Sequence, residues 1–442
     1  MSQDKKPALK SRTEPDPLFK SRWISLPQRV QELPVATLPK GFRAGGVAAG
    51  IKPSGKLDLG IVVSDEEGTT SAAIFTSSAT PAPPVQLCRS PRVRLSGLRA
   101  VIVNSGNANA GTGGRGRDNA VHMQGVGAMV TQVDHEQVAV ASTGVIGKHL
   151  ETDLIASGAS TLRGQLANKN ALEFAKAITT TDQWPKLATL EIQLSDGPVI
   201  LSAQAKGAGM IAPLHRPHAT LLAFVETDAK IESSLVSQML DRAVNDSFDR
   251  VSVDGQLSTN DSVFLLASGA SGVEIDAESL DHQLFQRALD VLLTGLALSI
   301  VKDGEGSKRI GRVHVKGGIY DECEKVARTV ADSPLVKTAL NGGDPNWGRI
   351  LQAVGMALAK KDVQDDTEVV DRSVDIWIEG ICVAKNSANA LFDESAIEQL
   401  QKAVAREEVE YEIRLDGEGS EATVYFSDLG HPYVTLNAEY TT

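Results

Sequence analysis

The run TLLAFVE (220–226) constrains this chain more than any other segment. It is nearly all apolar, so a strand formed there has no face to give to water and must be covered on both sides. SVFLLASG (262–269) reads as a second buried strand, and LRAVIVN (98–104) and QVAVAS (137–142) as short strands bounded by Gly and Asn. Helical spacing interrupts them. RDNAVHMQGVGAMVTQ (117–132) has it despite two glycines, and IESSLVSQMLDRAVNDSF (231–248) places Ile231, Leu235, Val236, Met239, Leu240, Ala243 and Val244 on one face. EIQLSDGPVIL (191–201) reads as a hairpin turning at Asp196-Gly197. Interleaving of this kind predicts mixed α/β (α+β) layers and excludes a bundle or a sandwich.

Other elements are expected further on. DPNWGRILQAVGMALAKK (344–361) predicts a helix with Asp344 as N-cap and Pro345 at its first position. VEYEIRL (409–415), ATVYFS (422–427) and YVTLNAEY (433–440) alternate and predict antiparallel strands. VLLTGLALSIV (291–301) is the longest apolar stretch. It falls short of the roughly 20 residues that span a bilayer, so a core helix is expected.

At 442 residues the chain calls for at least two domains. Its net charge of −12 has the wrong sign for non-specific contact with nucleic acid or an anionic membrane. Cys88, Cys323 and Cys382 are far apart and form no CxxC pair, which fits a reduced compartment; a cytoplasmic protein is expected. Residues 1–34 lack the apolar core of a secretion signal and read as a flexible extension.

Glycine-rich stretches give no cofactor site. GTGGRG (111–116) has the spacing of a dinucleotide loop, but SGNANA separates it from the preceding strand. KGAGMIAP and VKDGEGSK lack the GK[ST] of a phosphate loop. His215 and His218 have no third ligand nearby, so no metal is expected.

The seam in front of the apolar run is the chemical clue. KGAGMIAPLHRPHA (206–219) is rich in Gly, Pro and His, and Thr220 follows at once. One reading is structural, since threonine commonly begins a strand. The other is catalytic. Were the Ala219–Thr220 bond cut, Thr220 would carry a free amine of ordinary pKa about 8 beside its own hydroxyl, a nucleophile with a built-in base.

Several segments together resemble the ornithine acetyltransferases, the bifunctional glutamate N-acetyltransferase/amino-acid acetyltransferase family. They include KGFRAGGVAAGIKPSGKLDL (40–59), VNSGNANAGTG (103–113), ASTGVIG (141–147), HATLLAFVETDA (218–229), VDGQLSTNDSV (253–263), VKDGEGSKR (301–309), GGDPNWGRILQAVG (342–355) and NAEYTT (437–442). The resemblance implies a DmpA-like fold made of two chains, 35–219 and 220–442, after self-cleavage between Ala219 and Thr220. By the same resemblance Thr220 is the nucleophile, Thr143 and Gly144 form the oxyanion hole, and substrate meets Lys206, Thr220, Glu305, Asn437 and Thr442. A further binding threonine falls on Thr180 or Thr181, with Thr180 preferred.

The implied reaction moves acetyl from N2-acetylornithine to L-glutamate in arginine biosynthesis without a cofactor. Acetyl-CoA is a second possible donor, and the implied assembly is a heterotetramer of two fragments of each kind. A self-cleaved amidase and an uncleaved, non-catalytic paralogue are the competing readings. This chain departs from the family in a longer link, LHRPH (214–218), before the seam and in Glu226, where threonine is common.

Overall fold

The computed structural model describes residues 20–34, 37–212, 221–359, 372–391, 393–417 and 419–439. Its centre is a six-stranded sheet in the order Val30–Glu32, Lys186–Leu194, Gly197–Lys206, Leu222–Thr227, Ser262–Ala267 and Thr70–Phe75. All six residues of Leu222–Thr227 are buried, as its composition requires. Its alternate residues serve two cores. Ala223 and Val225 pack with the helices Ser233–Asp246 and Leu280–Lys302, while Leu222 and Phe224 face the other way.

On that second side lies a four-stranded sheet of Phe42–Val47, Leu59–Ser64, Ala100–Asn107 and Val138–Val145. The helix Gly113–Thr131 covers its far face. A Cβ on Gly127 of that helix would stand 2.9 Å from Val138 Cγ1 and 3.0 Å from Ile102 Cγ2, so the glycine permits close packing. The result is the expected mixed layering, helices outside and two sheets within. The helix Leu280–Lys302 is long and apolar enough to cross a membrane by composition, yet 72% of its apolar window is buried inside the fold.

A third, seven-stranded sheet occupies the C-terminal part and has its own core, with Tyr320–Asp332 and Trp347–Leu358 on it. Glu408–Arg414 and Glu421–Ser427 run in opposite directions as expected but are not neighbours. Ile310–Lys316 lies between them, parallel to the first and antiparallel to the second, and takes up the ladder bonds of both.

Three local expectations are corrected. YVTLNAEY was expected as a strand, but His431–Glu439 is a helix. Pro432 sits in its first turn, where a missing N–H costs nothing, and the Asn437 amide reaches back to Tyr433 O at 3.0 Å. The helix from Trp347 is capped by Asn346, whose side chain accepts from Arg349 N, and not by Asp344. Asp344 instead accepts from the Asn346 amide at 3.1 Å. Finally, the described part of the expected extension, residues 20–34, is docked: Val30–Glu32 pairs with Leu190–Ile192, and Trp23 packs against the main core.

The 219/220 division falls inside a sheet. Gly197–Lys206 and Leu222–Thr227 are antiparallel neighbours, in register from Leu201 opposite Thr227 to Lys206 opposite Leu222.

Candidate functional site

The two inner sheets meet at a cavity of about 330 Å3. Thr143, Gly144, Thr180, Thr181, Lys206, Glu305 and Asn437 all line it, so every described residue singled out from the sequence converges on one place. Ala219, Thr220 and Thr442, together with His215 and His218, lie outside the described residues. Leu221, the first described residue after the seam, is held by its N–H on Asp261 Oδ1 at 3.0 Å. Burial pushes the Asp261 carboxyl well above the usual range, against the hydrogen bonds of Leu221 N–H and the Ser258 side chain.

Thr143 and Gly144 end the strand Val138–Val145. The backbone of Gly106 and Asn107 approaches so closely that a Cβ on Gly144 would lie 2.4 Å from Gly106 C and 2.6 Å from Asn107 N. With φ at +129° as well, only glycine fits there. The carbonyl of the preceding Ser142 is fixed by Asn260 Nδ2 at 2.9 Å.

Lys206 ends the strand Gly197–Lys206 with its side chain buried, and its Nζ donates to Thr143 Oγ1 at 3.3 Å. A hydroxyl that accepts from an ammonium keeps its own proton to donate. Removal from water pushes the Lys206 ammonium below the usual lysine range, against the pull of Asp182.

Glu305 enters from the loop after Leu280–Lys302. Its N–H donates to Ala208 O at 2.9 Å, and its carboxylate presses on Gly209, where a Cβ would stand 2.7 Å away. Asn437 Nδ2 donates to Glu305 Oε2 at 2.6 Å and thereby draws the C-terminal helix over the cavity. The site thus offers a buried cation at one end and a half-buried carboxylate at the other. It suits a small molecule carrying both charges.

Sequence reasoning missed several groups. Asp254 accepts from Met210 N at 2.6 Å and Ile211 N at 2.9 Å, holding Met210 in the left-handed conformation (φ 57°). Tyr433 donates its hydroxyl to Asp254 at 3.3 Å. Asp182, in the segment read for its threonines, receives Thr180 N at 2.9 Å and Gly207 N at 2.8 Å. Among the described residues, no group of three or more His, Cys, Asp or Glu is placed to hold a metal.

Comparison with known proteins gives the chain a family. A profile described as the ArgJ family matches residues 43–442, and the chain belongs to that family. It is 37% identical over 406 residues to an arginine biosynthesis bifunctional protein ArgJ of Bacillus cereus, covering 91% of this chain and 96% of that one. The Synechocystis protein of the same name is 38% identical over 414 residues, covering 92% and 97%. Among solved structures, an ornithine acetyltransferase of Mycobacterium tuberculosis complexed with ornithine is 36% identical. That match has a TM-score of 0.38 and covers 42% of this chain and 98% of the solved one.

Proposed function

We propose that this protein transfers acetyl from N2-acetylornithine to L-glutamate, through an acetyl ester on Thr220, in arginine biosynthesis. The observation that carries the reading is the convergence of Thr143, Gly144, Lys206, Glu305 and Asn437, from distant parts of an ArgJ-family chain, onto one cavity beside the strand that follows Thr220. Self-cleavage between Ala219 and Thr220 frees the Thr220 amine, which takes the proton of its own hydroxyl. The oxygen attacks the acetyl carbonyl. Negative charge gathers on the carbonyl oxygen, toward the Thr143 hydroxyl and the Gly144 backbone, donors of the kind that lower such barriers.

The amide C–N bond then breaks, the ornithine nitrogen leaves with the proton held by the Thr220 amine, and acetyl remains as an ester. The amine of glutamate then attacks that ester and gives a proton to the Thr220 amine; the ester C–O bond breaks, and the threonine oxygen takes that proton as it leaves. Lys206 receives the substrate α-carboxylate, and Glu305, steadied by Asn437, the side-chain ammonium of ornithine. Thr180 and Thr442 complete the binding set. Acetyl-CoA is a second donor in this reading, with no metal or organic cofactor. The fragments assemble in the cytoplasm as a heterotetramer of two of each kind.

The test is direct. Purified protein is incubated with acetylornithine and glutamate, its chains are resolved under denaturing conditions, and the newly formed N-terminus is sequenced. Two chains, threonine at the new N-terminus, an acetylated Thr220 peptide and N-acetylglutamate are expected. Free acetate without acetylglutamate would indicate an amidase. Turnover by an intact single chain, or by Thr220→Ala, would overturn the mechanism.

A further inference from the structure

Behind the cavity Lys206 joins a line of buried groups of alternating charge, and no proposed contact with substrate explains the others. Lys186 Nζ lies 2.6 Å from Asp303 Oδ2 and 2.7 Å from Asp182 Oδ1. The second oxygen of Asp182 faces Lys206 Nζ at 4.0 Å. The side chains of Asp182 and Lys186 have no exposed surface, and that of Lys206 is 2% exposed. The backbone N–H donors on Asp182 come from Gly207, next to Lys206, and from Thr180 in the cavity wall. One carboxylate therefore ties together the lysine, the backbone beside it and the opposite wall.

We propose that Asp182 is a positioning residue that keeps Lys206 cationic and aimed at the Thr143 hydroxyl, with Lys186 competing for the same carboxylate and so setting how strongly it acts. Asp182 cannot satisfy both lysines equally. Lys186 holds one oxygen at hydrogen-bond distance, and Lys206 stands just beyond it, still in need of an anion. A lysine poised in this way binds a carboxylate that enters the cavity more readily than one already paired.

Other charges also face Lys206. Asp261 and Glu305 favour its cation, whereas Lys186 opposes it; Lys52, anchored on Leu57 O and Thr179 O at 2.7 Å, is a further cation within its field. Burial holds Asp182 at a disadvantage as an anion, but Lys186, Lys206 and the two N–H donors outweigh it and keep this carboxyl far below its ordinary value. Asp303, desolvated and next to Asp182, is pushed up to about 6 despite Lys186. The asymmetry fits a line in which Asp182 is the permanent anion.

The consequence for turnover rests on the proposed function, but the titration of Lys206 does not. It is read by trace labelling with deuterated acetic anhydride across pH, followed by peptide mass spectrometry on wild type, Asp182→Asn and Lys186→Gln. Asp182→Asn lowers the Lys206 midpoint by about one pH unit, about a tenfold rise in the neutral form at a fixed pH well below both midpoints. Lys186→Gln moves it the other way, since the carboxylate is then released to Lys206. Opposite shifts are not the signature of general loosening.

An unchanged midpoint in Asp182→Asn, or shifts of the same sign in both variants, overturns the proposal. Should Asp182→Asn fail to fold, Lys186→Gln decides alone: a rise supports, and a fall or no change refutes. In an active wild type, the alkaline limb of kcat/KM follows the labelling midpoint, and KM for acetylornithine rises more than kcat falls. A wild type without acetyl transfer sinks the proposed function and leaves the labelling result intact.

Discussion

Two buried polar groups share one face of one strand pair and meet opposite fates. Lys206 stands opposite Leu222, and Glu226 stands opposite Ser202. Lys206 lies at the open end, where Asp182 is its ion-pair partner and Thr143 its acceptor. Glu226 lies deeper, where Gln204 Nε2 donates to one oxygen at 3.0 Å and the other oxygen has no partner among the described residues. Desolvation acts on both. At Glu226 little opposes it, and the carboxyl is pushed up to about 8. Burial alone neutralises a group; burial beside a countercharge leaves it ionised and ready for use.

The largest blow to that contrast is Asp182→Ala, which strips both lysines of a shared anion. A loss of about 3–5 kcal/mol is expected in chemical denaturation. Thr143→Ala leaves the charges in place and removes the acceptor of Lys206. With acetyl transfer as readout, kcat should fall about a hundred- to a thousandfold, with a smaller change in KM.

Glu226→Gln tests the other end. The folded carboxyl titrates near 8 and the unfolded one near 4.5, so the folded state holds the extra proton between these values. Wild-type stability is therefore full at low pH and declines as pH rises, by at most about 1.4 kcal/mol per unit. The variant loses that slope and gains roughly 1–3 kcal/mol at pH above 8, with acetyl transfer unchanged; urea midpoints at acidic and alkaline pH check it. Smallest is Lys230→Ala. Its pair with Glu274, 2.9 Å apart, has both side chains more than half exposed, and its removal should cost under about 0.5 kcal/mol.

The sequence is legible where one property decides the outcome. Leu222–Thr227 and Ser262–Ala267 could only be strands covered on both faces, and Ser233–Asp246 carries its buried stripe in plain order. YVTLNAEY misled because Val434 and Leu436 alternate like strand residues, although they stand 64% and 38% exposed on a helix that no core demanded. The convergence of Thr143, Lys206 and Glu305 came from resemblance, which carries positions without distances. The Asp182–Lys186–Asp303 line was hidden. Nothing local pairs residue 186 with residue 303; the folded sheet and the end of a long helix bring them together.

The seam between neighbouring strands has a genetic corollary. Two separately encoded polypeptides, one ending at Ala219 and one starting at Thr220, would each leave a central strand edge bare. Neither half completes the six-stranded sheet on its own, so at that sheet each serves as the folding template of the other, and co-expression should succeed where mixing of purified halves fails.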